Sequence, residues 1–316
     1  MAKVLVILIG FLALLAVVTL WRASSREAQA EARFPPEGQI IKVDGRDVHV
    51  VVRGQGPDVV LIHGASGSTR DMTFQLAGAL EDRYRVIIFD RPGFGYTPRL
   101  HHAGATLSEQ AALLSAAAQQ LGADTPIVMG QSYGGAVALA WAVNHPDRLS
   151  ALVPVSAASN PWTTPLDPLY RVTSSWWGGA IVVPLITAWV PKAYVQGVIA
   201  SIFEPQAAPD GYAAHFGPEM TLRRMTMIAN ARQRANLLDE IKAQVDAYRD
   251  ITVPTEIIHG TADTIVGIPI HSEPLSRQIP NAVFTRLDGI GHMPQHVSVT
   301  EVVAGIDRAA ARAGLR

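Results

Sequence analysis

The sequence predicts an α/β fold: a mostly parallel eight-stranded sheet with helices on both faces, an inserted helical cap, and a hydrophobic helix ahead of it all. Three observations carry this. From Asp58 onward short apolar runs alternate with helix-forming runs; the alternation stops from about Asn160 to Arg249 and then resumes; and Val4 to Trp21 is apolar without a single charge. Strands buried on both faces read as continuous Val/Ile/Leu runs, and a parallel neighbour can be reached only through a crossover, usually a helix.

At about 1.5 Å per residue, Val4 to Trp21 extends about 27 Å, just enough for a hydrocarbon core of about 30 Å. A signal peptide has a shorter apolar region followed closely by a small-residue cleavage site. Here the candidate site, Ala28-Gln29-Ala30, lies beyond the charged stretch Arg22 to Glu27. Residues 1–21 therefore read as a single-pass membrane anchor, with a cleaved signal and a secreted or periplasmic product as the alternative. Lys3 and the amino terminus on one side, and Arg22, Arg26 and Arg33 on the other, leave the orientation open. Residues 22–38, rich in Ala and Glu and ending in Phe34-Pro35-Pro36, are expected to be a linker tethering the folded part.

Gln39 to Val43 and Val48 to Arg53 flank an Asp44-Gly45 turn and form a hairpin. The core then occupies residues 39–159 and 250–316. Its strands are Asp58–Ile62, Arg85–Phe89, Pro126–Met129, Leu149–Val155, Thr255–Ile258 and Val283–Leu287. Its helices are Thr73–Leu80, Leu107–Leu121, Gly135–Asn144, Pro269–Ile279 and Val297–Ala311. Residues 160–249 hold most of the tryptophans and many prolines. The apolar stretch Trp176 to Val190 contains Gly178-Gly179 and Pro184, which argue against a second span. A helical cap over the carboxyl edge of the sheet is expected, its apolar face lining a substrate cavity or touching the membrane.

The 316 residues carry a formal net charge of −1, which gives no electrostatic footprint for nucleic acid. Cysteine is absent, which removes disulfides, thiolate metal sites and cysteine nucleophiles. No cofactor or metal is implied, and His101-His102 reads as a solvated loop.

Gly130-Gln131-Ser132-Tyr133-Gly134 lies between an apolar run and a helix-forming run, where a G-x-S-x-G serine becomes a nucleophile. A side chain at Gly130 or Gly134 would collide with neighbouring backbone. A serine hydroxyl needs a base oriented by a carboxylate. Asp263 and His292 supply both, each in a loop after a strand, and the order Ser132, Asp263, His292 is that of one known triad arrangement.

With these motifs the chain resembles the α/β-hydrolase superfamily from roughly Gln39 to Ala311, the cap matching in position and composition only. The motifs are Leu61-Ile62-His63-Gly64-Ala65, Phe89-Asp90-Arg91-Pro92-Gly93-Phe94-Gly95, the Gly130 to Gly134 elbow with Gly135, His259-Gly260 with Asp263, and Gly291-His292. The resemblance implies Ser132 as nucleophile, His292 as general base and then acid, and Asp263 as its orienter. It also implies an oxyanion hole from the backbone N–H groups of Ala65 and Tyr133. Haloalkane dehalogenases and epoxide hydrolases carry aspartate where this chain has Ser132, so the expected chemistry is acyl transfer, most simply hydrolysis of a small to medium apolar ester. Carbon–carbon bond hydrolysis of the meta-cleavage type, perhydrolase-like chemistry and thioester hydrolysis use the same triad and stay open; acyl transfer to an alcohol and a non-catalytic receptor are the remaining alternatives. Asp90 reads as structural, His63 as a shaper of the oxyanion loop, and His296 as a surface or packing histidine. Ser66 either hydrogen-bonds a substrate or caps the next turn.

Overall fold

A computed structural model describes all 316 residues. The chain runs through β1 (Gln39–Val43), β2 (Arg46–Arg53), β3 (Asp58–Ile62), β4 (Arg85–Phe89), β5 (Ile127–Gln131), β6 (Ala151–Val155), β7 (Thr255–Gly260) and β8 (Ala282–Leu287). These form one sheet in the order β1-β2-β4-β3-β5-β6-β7-β8. Only β2 runs antiparallel to its neighbours; every other pairing is parallel. The helices are α1 (Ala2–Arg33), α2 (Thr69–Thr73), α3 (Leu76–Leu80), α4 (Leu107–Gln120), α5 (Tyr133–Asn144), α6 (Pro168–Ser174), α7 (Val183–Trp189), α8 (Lys192–Phe203), α9 (Tyr212–Phe216), α10 (Pro218–Thr221), α11 (Arg224–Gln244), α12 (Ser272–Gln278), α13 (Pro294–Val297) and α14 (Val299–Arg312).

Alternation along the central strands divides the core into two layers. Val60, Ile62, Ile87, Phe89 and Val128 face α4 and α5, where Leu114, Ala118, Val137 and Trp141 fill the space. Val59, Leu61, Ile88, Met129 and Val153 face α3 and α14, meeting Leu76, Leu80, Val302 and Ile306. Side chains of period two thus bury both faces of one sheet.

Two elements differ in kind from the sequence-based expectation, while several others shift at their ends by up to three residues. The predicted helix Thr73–Leu80 is two short helices, because Gln75 leaves helical geometry at φ −139°, ψ −44°. The stretch expected as a tether is helical through Arg33, continuous with the apolar segment. Its Ala and Glu content favours helix, and one side is fixed by the cap. Glu27 pairs with Arg224 at 2.7 Å and Glu31 with Arg223 at 2.9 Å, while Ala23 and Ala30 are buried. Arg22 and Arg26 donate to the Ala188 carbonyl at the end of α7. The outer part, by contrast, is bare: α1 is long and apolar enough to cross a membrane.

Candidate functional site

The site lies at the carboxyl edge of the sheet, where β3, β5, β7 and β8 end. Strand β5 turns into α5 within one residue. The turn is tight enough that a Cβ on Gly130 would stand 2.1 Å from the Gly134 carbonyl oxygen, and one on Gly134 would stand 2.3 Å from that of Ile62. Both obstacles are backbone and cannot yield. Gly134→Ala is therefore expected to destabilise the protein by at least about 3 kcal/mol, read as a fall in its denaturation midpoint. Gly78 in α3 meets nothing within 4 Å, so Gly78→Ala should be neutral or stabilising by up to about 1 kcal/mol.

The turn holds Ser132 at φ 54°, ψ −116°, a conformation that L residues rarely adopt. Such strain costs about 1–3 kcal/mol and persists only where the surroundings enforce it. Here the Ser132 N–H donates to the Val155 carbonyl at 2.9 Å, and the Gly135 N–H donates to the Ser132 carbonyl at 3.0 Å.

The structure brings Ser132, His292 and Asp263 together. Ser132 Oγ is 3.0 Å from His292 Nε2, and His292 Nδ1 is 2.7 Å from Asp263 Oδ2. With its Nδ1–H donated to the carboxylate, the imidazole presents its Nε2 lone pair to the serine hydroxyl. Asp263 is tightly held: Oδ2 also accepts from His259 Nε2 at 2.9 Å, and Oδ1 accepts from the N–H groups of Ile265 and Val266 at 2.8 and 2.9 Å. Burial opposes its ionisation, but the hydrogen bonds from His259 and His292 outweigh that and hold its carboxyl far below the ordinary range. The arrangement can move a proton from Ser132 to His292 while a fixed negative charge steadies the imidazolium.

Ala65 stands on the loop after β3, and Tyr133 directly follows Ser132. Neither backbone N–H donates to another protein group, since Tyr133 is the first residue of α5 and Ala65 follows the end of β3. The α5 N-terminus adds its dipole at the same point. A Cβ on Gly64 would lie 3.3 Å from Ser132 Cβ and would push the Gln131 side-chain amide aside, so a small residue suits this position.

Several supporting residues were not singled out by the sequence reading. Arg91 is fully buried and donates to the His63 and Gly64 carbonyls at 3.0 and 2.9 Å, and to Gln110 and Gln233 at 2.8 and 2.7 Å. Its guanidinium lies between the Phe94 and Tyr133 rings, 4.3 and 4.4 Å from their centroids. It thereby fixes the loop of Ala65 to α4 and to cap helix α11 with no carboxylate partner, and burial lowers it to about 10, still charged. Gln131 donates to the His292 carbonyl at 3.1 Å. Asn230 of α11 accepts from the Ser66 N–H at 3.1 Å and donates to its hydroxyl at 2.9 Å, so Ser66 is tied to the cap; Ser68 is the residue that caps α2. Arg91 follows Asp90 in a quoted motif, but nothing local marks it as the staple of another loop.

The remaining candidates take supporting positions. Asp90 is buried, with His49 Nδ1 at 2.5 Å and the Thr69 and Tyr96 N–H groups on its carboxylate. His63 accepts the Arg91 N–H at Nε2 and sets its Nδ1 against the Gly64 carbonyl. His296 is buried, with its Nε2 2.9 Å from Asp71, which also accepts from Tyr212 at 2.7 Å. His101 is exposed beside Glu109.

Two buried histidines make the fold acid-sensitive. Burial, with the Arg91 charge beside it, lowers His63 to about 4; burial also lowers His271 to about 4, helped by nearby His259. An unfolded histidine takes up its proton near pH 6.5. Below that pH the unfolded state binds more protons, so the stability present above pH 6.5 is lost as pH falls toward 4, at about 1.4 kcal/mol per pH unit for each histidine. His49 is raised: burial would lower it, but the Asp90 carboxylate outweighs burial. It is charged in both states below pH 6.5 and adds no slope there. Denaturant midpoints measured from pH 7 to 5 should fall, and His271→Gln should make that fall shallower.

A family model described as alpha/beta hydrolase fold matches residues 57–225, more than half of the chain. The protein belongs to the α/β-hydrolase family. A protein of Stutzerimonas stutzeri assigned as carbamate hydrolase RutD is 30% identical to it, over 78% of this chain and 88% of that one. Among solved α/β-hydrolase structures, a thermophilic esterase from Thermogutta terrifontis superposes with a TM-score of 0.70 at 21% identity, covering 87% of this chain and 99% of that one. A bacterial membrane phospholipase A superposes with a TM-score of 0.66 at 18% identity, covering 98% and 99%. At these identities the two structures speak to the fold alone. Membership of the α/β-hydrolase family, with relatives that are hydrolases, makes the protein an enzyme of the hydrolase type.

Proposed function

We propose that this protein is a membrane-anchored serine hydrolase that cleaves a carboxylic ester of a small to medium apolar acyl group through an acyl-enzyme. The observation that carries this is the unbroken hydrogen-bonded line from Ser132 through His292 to Asp263, at 3.0 and 2.7 Å. Ser132 Oγ attacks the ester carbonyl as His292 Nε2 takes its proton. The Ala65 and Tyr133 N–H groups stabilise the oxyanion, and being fixed in advance they need no reorganisation as charge develops. His292 returns the proton to the leaving alcohol. It then deprotonates a water that attacks the acyl carbonyl, and Ser132 is released. In the conformation described Ser132 is only 5% exposed.

The anchor is α1. Its outer half is exposed and apolar, and its inner half is tied to the cap through Glu27, Glu31, Arg22 and Arg26. Cleavage after Ala30 would strip away the contacts of Arg22, Arg26 and Glu27, which favours retention over removal as a signal.

A panel of esters graded in acyl length and leaving group, presented to the purified full chain, tests the reading. Hydrolysis of apolar acyl esters is expected, with the rate passing through an optimum in acyl length. Turnover of thioesters or carbon–carbon substrates with no ester hydrolysis would overturn it.

A further inference from the structure

Trp176–Trp189 is one continuous helical segment containing a π-helical turn at Gly178–Val182, and it carries no charged residue. Trp177, Ile181, Leu185 and Trp189 follow one another at intervals of four and are 43%, 59%, 41% and 44% exposed. Residues at i and i+4 share a helix face, so they form one stripe. Between them Val183, Pro184, Thr187 and Ala188 are buried on the opposite side. After a bend of 100° the chain continues as α8, with Tyr194 and Val198 exposed at the same spacing. A solvated helix would place polar residues on such a face.

The stripe is joined to α1 at a defined height. Trp189 Nε1 donates to Thr19 Oγ at 3.1 Å, and Thr19 lies within the apolar run Val4 to Trp21, three residues before the first charge at Arg22. Arg22 stacks on the Trp189 ring at 4.5 Å, and Lys192 follows directly after the bend. Tryptophan and tyrosine flanked by Arg and Lys are the residues that settle at a membrane–water boundary.

We infer that the stripe Trp177–Ile181–Leu185–Trp189, continued by Tyr194 and Val198, is a lipid-docking face that lies in the bilayer interface beside the end of α1. The inference rests on the reading that α1 crosses the membrane. An apolar helix face of this kind sinks about 5–10 Å into the headgroup–acyl boundary. The cap is thereby seated on the membrane at a second point, and the orientation of the catalytic core over the bilayer is fixed.

The chain has no native cysteine, so single-cysteine variants carrying an environment-sensitive fluorophore test this on the full protein. Leu12→Cys, Ile181→Cys, Leu185→Cys and Val283→Cys are placed in phosphatidylcholine–phosphatidylglycerol nanodiscs holding one chain each. Labels at 181 and 185 should be quenched several-fold more by a nitroxide near the lipid headgroup than by aqueous iodide. The label at 12 should respond to a deep nitroxide, and that at 283 to iodide only. If 12 remains lipid-quenched while 181 and 185 behave like 283, the anchor stands and the docking face is overturned. If 12 is also open to iodide, both fall. Shielding at 181 and 185 that arises only with two chains per disc marks an interface between copies and likewise overturns the lipid assignment.

Discussion

Ser132→Ala is expected to lower kcat by about 10⁶-fold, because residues that act as one nucleophilic unit lose nearly all of their effect when the nucleophile goes. The residual rate belongs to the oxyanion donors and to substrate binding, neither of which the substitution touches. Stability should change by less than about 1 kcal/mol. The turn is enforced by Val155, Gly130 and Gly134 rather than by the hydroxyl. Activity loss with an unchanged denaturation midpoint is thus the signature, measured as ester turnover beside a thermal melt. A variant that kept more than about a tenth of the parent rate would remove Ser132 from the chemistry.

Asp263→Asn carries the second largest expected effect, a loss in kcat of about 10⁴-fold with KM nearly unchanged. The carboxylate accepts four hydrogen bonds, two from backbone N–H groups on Oδ1 and two from histidines on Oδ2. An asparagine that keeps its oxygen toward Ile265 and Val266 turns its NH₂ toward His292 Nδ1. That nitrogen must then accept, which moves the ring proton to Nε2, where it faces Ser132 and blocks proton abstraction. The converse orientation leaves two backbone donors unpaired and should appear as lost stability. Kinetics and melting measured on the same preparation separate the two. A kcat within about tenfold of the parent enzyme would contradict the assigned role of Asp263.

The parts of the molecule legible in the sequence are those whose determinants are local. β3 and β4 take the bounds their apolar runs predict, since a buried strand announces itself by its own composition. Gly130 and Gly134 are legible for the same reason: the collision they avoid is with residues a few positions away or on the adjacent strand. What escaped depends on partners remote in the chain. Glu27 and Arg224 meet across 197 positions, so the inner half of α1 reads as a polar tether until the cap is placed against it. Arg91 reaches Gln233 across 142 positions, and Ser66 reaches Asn230 across 164. A polar residue on one segment does not say which carbonyl it will serve on another. The split between α2 and α3 belongs here too: the break leaves Phe74 edge-on to Tyr212 of the cap, at 5.4 Å between ring centroids, a contact with no local sequence mark.

The central claim is that Ser132 forms the covalent bond with the acyl group. The most direct measurement is mass spectrometric mapping of the full chain after reaction with an alkyl phosphonate ester, a mimic of the tetrahedral intermediate that stays bonded to an activated serine. One adduct per chain is expected, confined to the peptide containing Gly130-Gln131-Ser132-Tyr133-Gly134, and absent from Ser132→Ala and from protein whose His292 has been replaced. An adduct on any other residue, or labelling that persists without Ser132 while ester turnover continues, would contradict it.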